Sequence, residues 1–442
     1  MRRDAYAPAR AGRTVRRVAA LLAAAALGMG ALAACGDDGG DSGGGPVKLR
    51  FLSLAWQKAS VKVNKQLVAA WNKSHPKIHV QYVQGSWDTV HDQLVTSFEG
   101  GDAPDIIHDA ADDIANFADQ GYLADLRGLT PASMKKDIPQ AAWQMTTFGK
   151  DGGVYGVPFL QEPRLLMANT DLLKKAGVPV PTSQHPWTWA QFQAAAKKLT
   201  HGKTYGVAWP MKEPVSTVLD MSMNYGGRYF YKSGDQWQVR FGAAEQAVPK
   251  IIHDQVNVDH TAAKQTLGMS GSDTLPGFFS GKYAMVQLGL SYRQQIVEQA
   301  PKDFHWTVLP PLKGQTQAQG VSPQTLSLAA AGKHQKAAMR FVKYFLSPKN
   351  QVTLAKGDWM LPTSRKAVAD PAFATDKLGW RTGAKAASSL VAEPAQAAKG
   401  YAEWMDKVAT PAFQQYFSGD ITERELGDKL VKDGGRVLAR YK

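Results

Sequence analysis

The sequence predicts an α/β protein of two lobes, and three observations carry that reading. Ala- and Lys-rich stretches with apolar residues at helical spacing alternate with short β-branched runs, as helices laid on a sheet require. The first of these runs, from Val47 to Ile107, reads β-α-β-α-β, whose parallel strands are joined by right-handed crossovers. The chain has 442 residues and is 44% hydrophobic, too long for one small domain.

VKLRFLSL at 47–54 alternates as a strand does. After a loop holding Trp56 and Gln57, Val63, Leu67, Val68 and Trp71 recur at helical spacing, and His75-Pro76 ends that helix. IHVQYV at 78–83 is a second strand, 90–98 a helix, and GGDAPDII at 100–107 a turn feeding a third short strand. Further on, Thr188 with Gln191 and Thr422 with Glu425 fit the capping box, in which side chain and backbone at a helix start satisfy each other. Ser347-Pro348 places an N-cap before a proline at the first helical position.

Cys35 is the only cysteine. It can form no internal disulfide and lacks the partners of a thiolate metal site. Six arginines (Arg2, Arg3, Arg10, Arg13, Arg16 and Arg17) precede an Ala- and Leu-rich apolar stretch from Val18 to Ala34. That order is the basic region, apolar region and small-residue cleavage site of an export signal. Leu32-Ala33-Ala34-Cys35 resembles a bacterial lipobox, which predicts cleavage before Cys35 and lipidation of its thiol, with stable anchoring by more than one acyl chain. Residues 1–34 are then a lipoprotein signal peptide and 35–46, rich in Gly, Asp and Ser, a flexible tether. The expected location is the outer face of the cell membrane. Val15-Arg16-Arg17-Val18 lacks the Ser and Phe that usually surround a twin-arginine signal.

Without residues 1–34, which hold six arginines and one aspartate, the net charge falls from +14 to about +9. The remaining cations are scattered in pairs such as Lys135-Lys136 and Lys197-Lys198. Nucleic acid would call for a clustered stripe, so none is expected as a partner. Outside the Gly-rich tether no G-x-S-x-G elbow occurs, and there is no H-E-x-x-H helix, Walker loop or G-x-G-x-x-G. His75 and His79 are separated by Pro76 and share no helical face. The expectation is a binder with no catalytic residues, no metal and no cofactor.

A series of short motifs then stands in order: APDII at 103–107, GYLADL at 121–126, YGVP at 155–158 and NTDLL at 169–173 leading into AGV at 176–178. TWAQF at 188–192, FSGKYAM at 279–285 and LPTSR at 361–365 follow. Together, behind a lipobox and a Gly-rich tether, they resemble the extracellular solute-binding proteins of ABC importers, in the sugar-binding, maltose-binding-protein-like group. The resemblance covers essentially the whole mature chain. It implies a periplasmic-binding-protein-like fold, two α/β lobes joined by crossover strands with a ligand cleft between them. Lobe I would hold 47–157 plus about 310–355, and lobe II 158–309 plus about 356–442, with Tyr155 to Pro158 at the first crossover. It also implies a monomer that closes on its ligand by a hinge motion and delivers it to a membrane permease.

Sugar hydroxyls want carboxylates and amides, and sugar C–H faces want aromatic rings. Trp56 and Gln57 follow the first strand, and Asp109 and Asp112 follow the third, at the carboxyl end where α/β sheets gather ligands. The resemblance implies an acidic ligand contact at Glu162, with Arg164 beside it; a structural Glu162–Arg164 pair is the alternative. Trp209 and Glu213 lie in AWPMKEP at 208–214, where the family pattern carries a Glu-Pro pair, although Val215 stands where an aromatic is expected. Tyr292, beside Arg293, is the candidate aromatic platform, and Trp359 the candidate to close the cleft. Two other functions stay open at this level. Asp109, Asp112, Glu162 and Glu213 could supply the carboxylate pair of a secreted carbohydrate-active hydrolase, and Arg164 and Arg293 would suit a polar anionic solute such as a phosphodiester.

Overall fold

The computed structural model describes residues 45–149, 151–234, 236–393 and 398–441. The expected signal peptide, Cys35 and most of the expected tether lie outside the described residues. Order begins where the alternation does. β1 (Val47–Ser53) and β2 (Ile78–Gln84) pair in parallel through α1 (Lys58–Ser74). After α2 (Val90–Glu99), β3 (Ile106–Ala110) pairs in parallel on the other side of β1 and runs straight into α3 (Ala111–Asp119). Asp109 therefore lies inside β3, two residues beyond the Ile107 at which the sequence reading ends the strand.

Six strands make the first sheet, in the order 361–362, 157–161, 324–328, β3, β1, β2. Gln324–Leu328 runs antiparallel to both β3 and Val157–Gln161, so the chain returns to the first lobe at that strand. Leu361–Pro362, expected with the second lobe, instead pairs antiparallel with 160–161 on the edge of this sheet. Phe51 packs edge-on against Phe345 at 5.1 Å, and Trp71 against Phe341 at 5.5 Å. The helix Gln335–Phe345 thus covers one face, and Pro348–Asp358 packs on α1, where Gly357 lies against Ser60 and Val63.

A second sheet takes Met285–Gly289, Arg164–Asn169 and Trp306–Val308, all antiparallel. Its core joins Trp189, Phe192 and Trp209 to the late helices through Trp404, Phe413 and Phe417, all buried. Both expected capping boxes form: Thr188 accepts from the Gln191 amide, and Thr422 from that of Glu425.

The chain passes between the sheets in short steps. Only Glu162 and Pro163 separate strand 157–161 from strand 164–169. This first crossover lies downstream of Tyr155–Pro158, because Val157 and Pro158 are already sheet residues. A second passage runs from Gln319–Val321, paired in parallel with Leu390–Ala392, through two residues into strand 324–328. Among the described residues no helix is long and apolar enough to cross a membrane.

Candidate functional site

The two sheets approach each other at these crossovers, and there polar side chains from both meet. The loop after β1 is fixed first. Burial pushes His108 on β3 down to about 4, so its ring is neutral near pH 7. Nδ1 accepts the Leu54 N–H at 3.0 Å, which leaves Nε2 as the protonated nitrogen donating to Gln324 Oε1 at 2.9 Å. Gln84 Nε2 donates to the Ala55 carbonyl at 2.7 Å. Between these supports the loop presents Trp56, which is 53% exposed, and Gln57, which is buried. Gln57 Nε2 reaches the carbonyl of Ser291, in the turn after strand 285–289, at 3.4 Å.

Glu162 meets the same serine. Its Oε2 accepts the Ser291 N–H at 2.8 Å and its Oε1 accepts the Ser291 hydroxyl at 3.3 Å. Two oxygens held by neutral donors keep lone pairs for further hydroxyls. The alternative pairing does not form: Arg164 directs Nε at Asp220 Oδ2, at 3.3 Å, rather than at Glu162. The Arg164 backbone is clamped as well, its N–H donating to Gln319 Oε1 at 2.8 Å and its carbonyl accepting from Gln319 Nε2 at 2.9 Å. Burial raises Asp220 to about 7 despite the arginine. Across from it, Asp112 in the first turn of α3 accepts from Ser322 Oγ at 3.3 Å, and burial raises its carboxyl too. Asp113 bonds His91 at 2.7 Å.

Tyr292 lies over Gly271, where a side chain would overlap its ring, and burial followed by the nearby Glu162 carboxylate raises its phenol. Trp359 is half-buried at a left-handed helix end with φ 56° and stacks on Trp380 at 6.0 Å. Glu213 is exposed at the start of helix Pro214–Ser222 and caps nothing with its side chain.

Three expected contacts are corrected. Trp209 is fully buried, its indole N–H donating to Gln255 Oε1 at 2.9 Å and its ring stacked with Trp189, so it belongs to the second lobe's core. Arg293 is also fully buried. It donates from Nε to Leu290 O and from Nη1 to Leu378 O, each at 2.8 Å, and from Nη2 to Trp359 O at 2.6 Å, with its guanidinium 4.0 Å from the Trp380 ring centre. It is a structural strut: three of its five N–H donors go to backbone carbonyls, and the side chain is shut away from solvent. Asp109, 1% exposed, caps the Ala110 N–H from within β3; burial, and then the neighbouring Asp113, raise its carboxyl well above the usual range.

Sequence reasoning missed Ser291, Asp220 and Ser322. Asp220 had a signal, a lone acid in the apolar run VLDM at 218–221. Ser291 and Ser322 had none, because each is defined by a partner more than 100 residues away.

A model of the bacterial extracellular solute-binding proteins matches residues 59–352. The "uncharacterized lipoprotein in oleD 5' region" of Streptomyces antibioticus is 58% identical over 381 residues, spanning 86% of this chain and 84% of that one. The arabinooligosaccharide-binding protein of Bacillus subtilis (strain 168) is 25% identical over 289 residues, 63% of this chain and 65% of the other. Among solved structures, the sugar-binding protein MalE from Xanthomonas citri shares the fold at a TM-score of 0.77, with 20% identity over 89% of this chain and 98% of that one.

Proposed function

The chain belongs to the bacterial extracellular solute-binding protein family, and we propose that it is the carbohydrate-binding component of an ABC importer, working from the outer face of the cell membrane. It takes a di- or oligosaccharide between its lobes, closes on it by a hinge motion and delivers it to the permease. Cys35, after signal cleavage, carries the lipid anchor; the lipobox and the lipoprotein relative support that part of the reading.

The observation that carries the sugar reading is the junction at Ser291, where the Glu162 carboxylate and the Gln57 amide converge beside the exposed Trp56 ring. Carboxylate and amide suit vicinal hydroxyls, and an exposed indole suits a C–H face. Asp112 and Glu213 stand as further hydroxyl contacts, and Tyr292 and Trp359 as further walls. The phosphodiester reading loses support because Arg293 is buried on three carbonyls and Arg164 is paired with Asp220. The hydrolase reading loses Asp109, one of its four candidate carboxylates, to the core.

A thermal-shift screen over mono- and oligosaccharides tests this, since a ligand that binds only the folded state raises the melting point through ln(1 + [L]/Kd). The expected result is a rise for one sugar class with the sugar recovered intact. Release of hydrolysis products, or a rise only with phosphodiesters, would overturn it.

A further inference from the structure

The turn GLSYR at 289–293 does more than end a strand. Gly289, the last residue of strand Met285–Gly289, carries the Glu162 carboxylate over its Cα: a Cβ built there would lie 2.5 Å from Oε1, 2.6 Å from Cδ and 2.7 Å from Oε2. Ser291 uses all its polar groups on the crossover and the opposite lobe, N–H and hydroxyl on Glu162 and carbonyl on Gln57.

We propose that Gly289 and Ser291 are positioning residues, which hold the Glu162 carboxylate in one place and aim its remaining lone pairs at the ligand. The proposal rests on Glu162 being a ligand contact. A free glutamate samples many rotamers, and ordering it on binding would cost affinity. Here two donors and a missing side chain order it beforehand. Gly289 has an ordinary φ of −73°, so its lack of a side chain serves the carboxylate above it and not the backbone. Because the Ser291 carbonyl also receives Gln57, the same residue registers the first-lobe loop against the crossover.

Gly289→Ala in the full chain tests this. The three atoms nearest the new methyl belong to the Glu162 carboxyl group, the far end of a side chain, and not to backbone, so the variant keeps the fold and expels the carboxylate. The first readout needs no ligand. Exchange of the Ser291 amide with solvent should quicken at least tenfold in Gly289→Ala and in Glu162→Ala, and the double variant should exchange no faster than either. The second is calorimetric titration with maltotriose and with arabinotriose. Whichever of them the wild type binds should lose at least tenfold affinity in each single variant, with no additive loss in the double. Wild-type exchange at Ser291 in Gly289→Ala, or additive losses in the double variant, would overturn the proposal. Wild-type affinity in Glu162→Ala would instead overturn Glu162 as a contact, and is told apart because the exchange result stands on its own.

Discussion

Arg164 and Arg293 both feel the Glu162 carboxylate at the first crossover, carry the same charge, and are satisfied by opposite means. Arg164 is partly exposed and paired with a buried carboxylate that burial lifts to about 7. Arg293 is buried with no carboxylate among its hydrogen-bond partners, held by three carbonyls and the Trp380 ring, and burial lowers it to about 9. Two of those carbonyls belong to Trp359 and Leu378, both in left-handed backbone, a conformation that costs a non-glycine residue roughly 1–2 kcal/mol. A charge held by dipoles is locked, because carbonyls cannot change protonation to release it. A charge held by a titratable partner is adjustable. The Arg293 side is thus scaffold and the Arg164–Asp220 side responds to pH.

The largest effect should come from breaking the locked side. Arg293→Met takes this donor from the Leu378 and Trp359 carbonyls, while Leu290 O keeps the backbone N–H of residue 293, and each buried orphan costs about 1–3 kcal/mol. Chemical denaturation should show a loss on the order of 3 kcal/mol or more. Arg164→Met should lose less, because Asp220, already lifted to about 7, can take up a proton and bury as a neutral acid. Equal losses would erase the contrast.

The next effect sharpens it through pH. The folded state holds a proton on Asp220 up to about pH 7, whereas an unfolded aspartate releases it near 4. Across that window the native state binds more protons, so this group's contribution to stability falls as pH rises and levels off above the folded value. Melting curves of the wild type and Asp220→Asn from pH 4 to 8 should therefore diverge, the wild type losing ground to the variant between about 4 and 7. Parallel curves would remove Asp220 as the titrating group.

The smallest effect concerns the exposed ring. Trp56→Ala should leave unliganded stability within about 0.5 kcal/mol, as exposed substitutions do, and weaken sugar binding by a few fold. A large stability loss would reassign Trp56 to the fold.

Local rules made much of the fold legible. β1 and β2 alternate, α1 repeats at helical spacing, and the capping boxes at Thr188 and Thr422 need only four adjacent residues. What stayed hidden depends on distant partners. Arg293 looks like a cleft cation until Leu378 and Trp359 arrive beneath it, and Trp209 looks like a sugar platform until Gln255 and Trp189 enclose it. Asp109 misled because β3 runs to Ala110, so the carboxylate points from a sheet residue and not from the loop beyond. The family resemblance singled out Glu162 after the YGVP motif, but the serine that holds it carried no sequence signal.

The proposed function rests on a sugar bound against Glu162 at the crossover. Calorimetric titration of wild type and Glu162→Ala with the sugar that most raises the wild-type melting point tests it most directly. At least a tenfold loss of affinity, about 1.4 kcal/mol, is expected, with the unliganded melting point nearly unchanged. Wild-type affinity in the variant would contradict it.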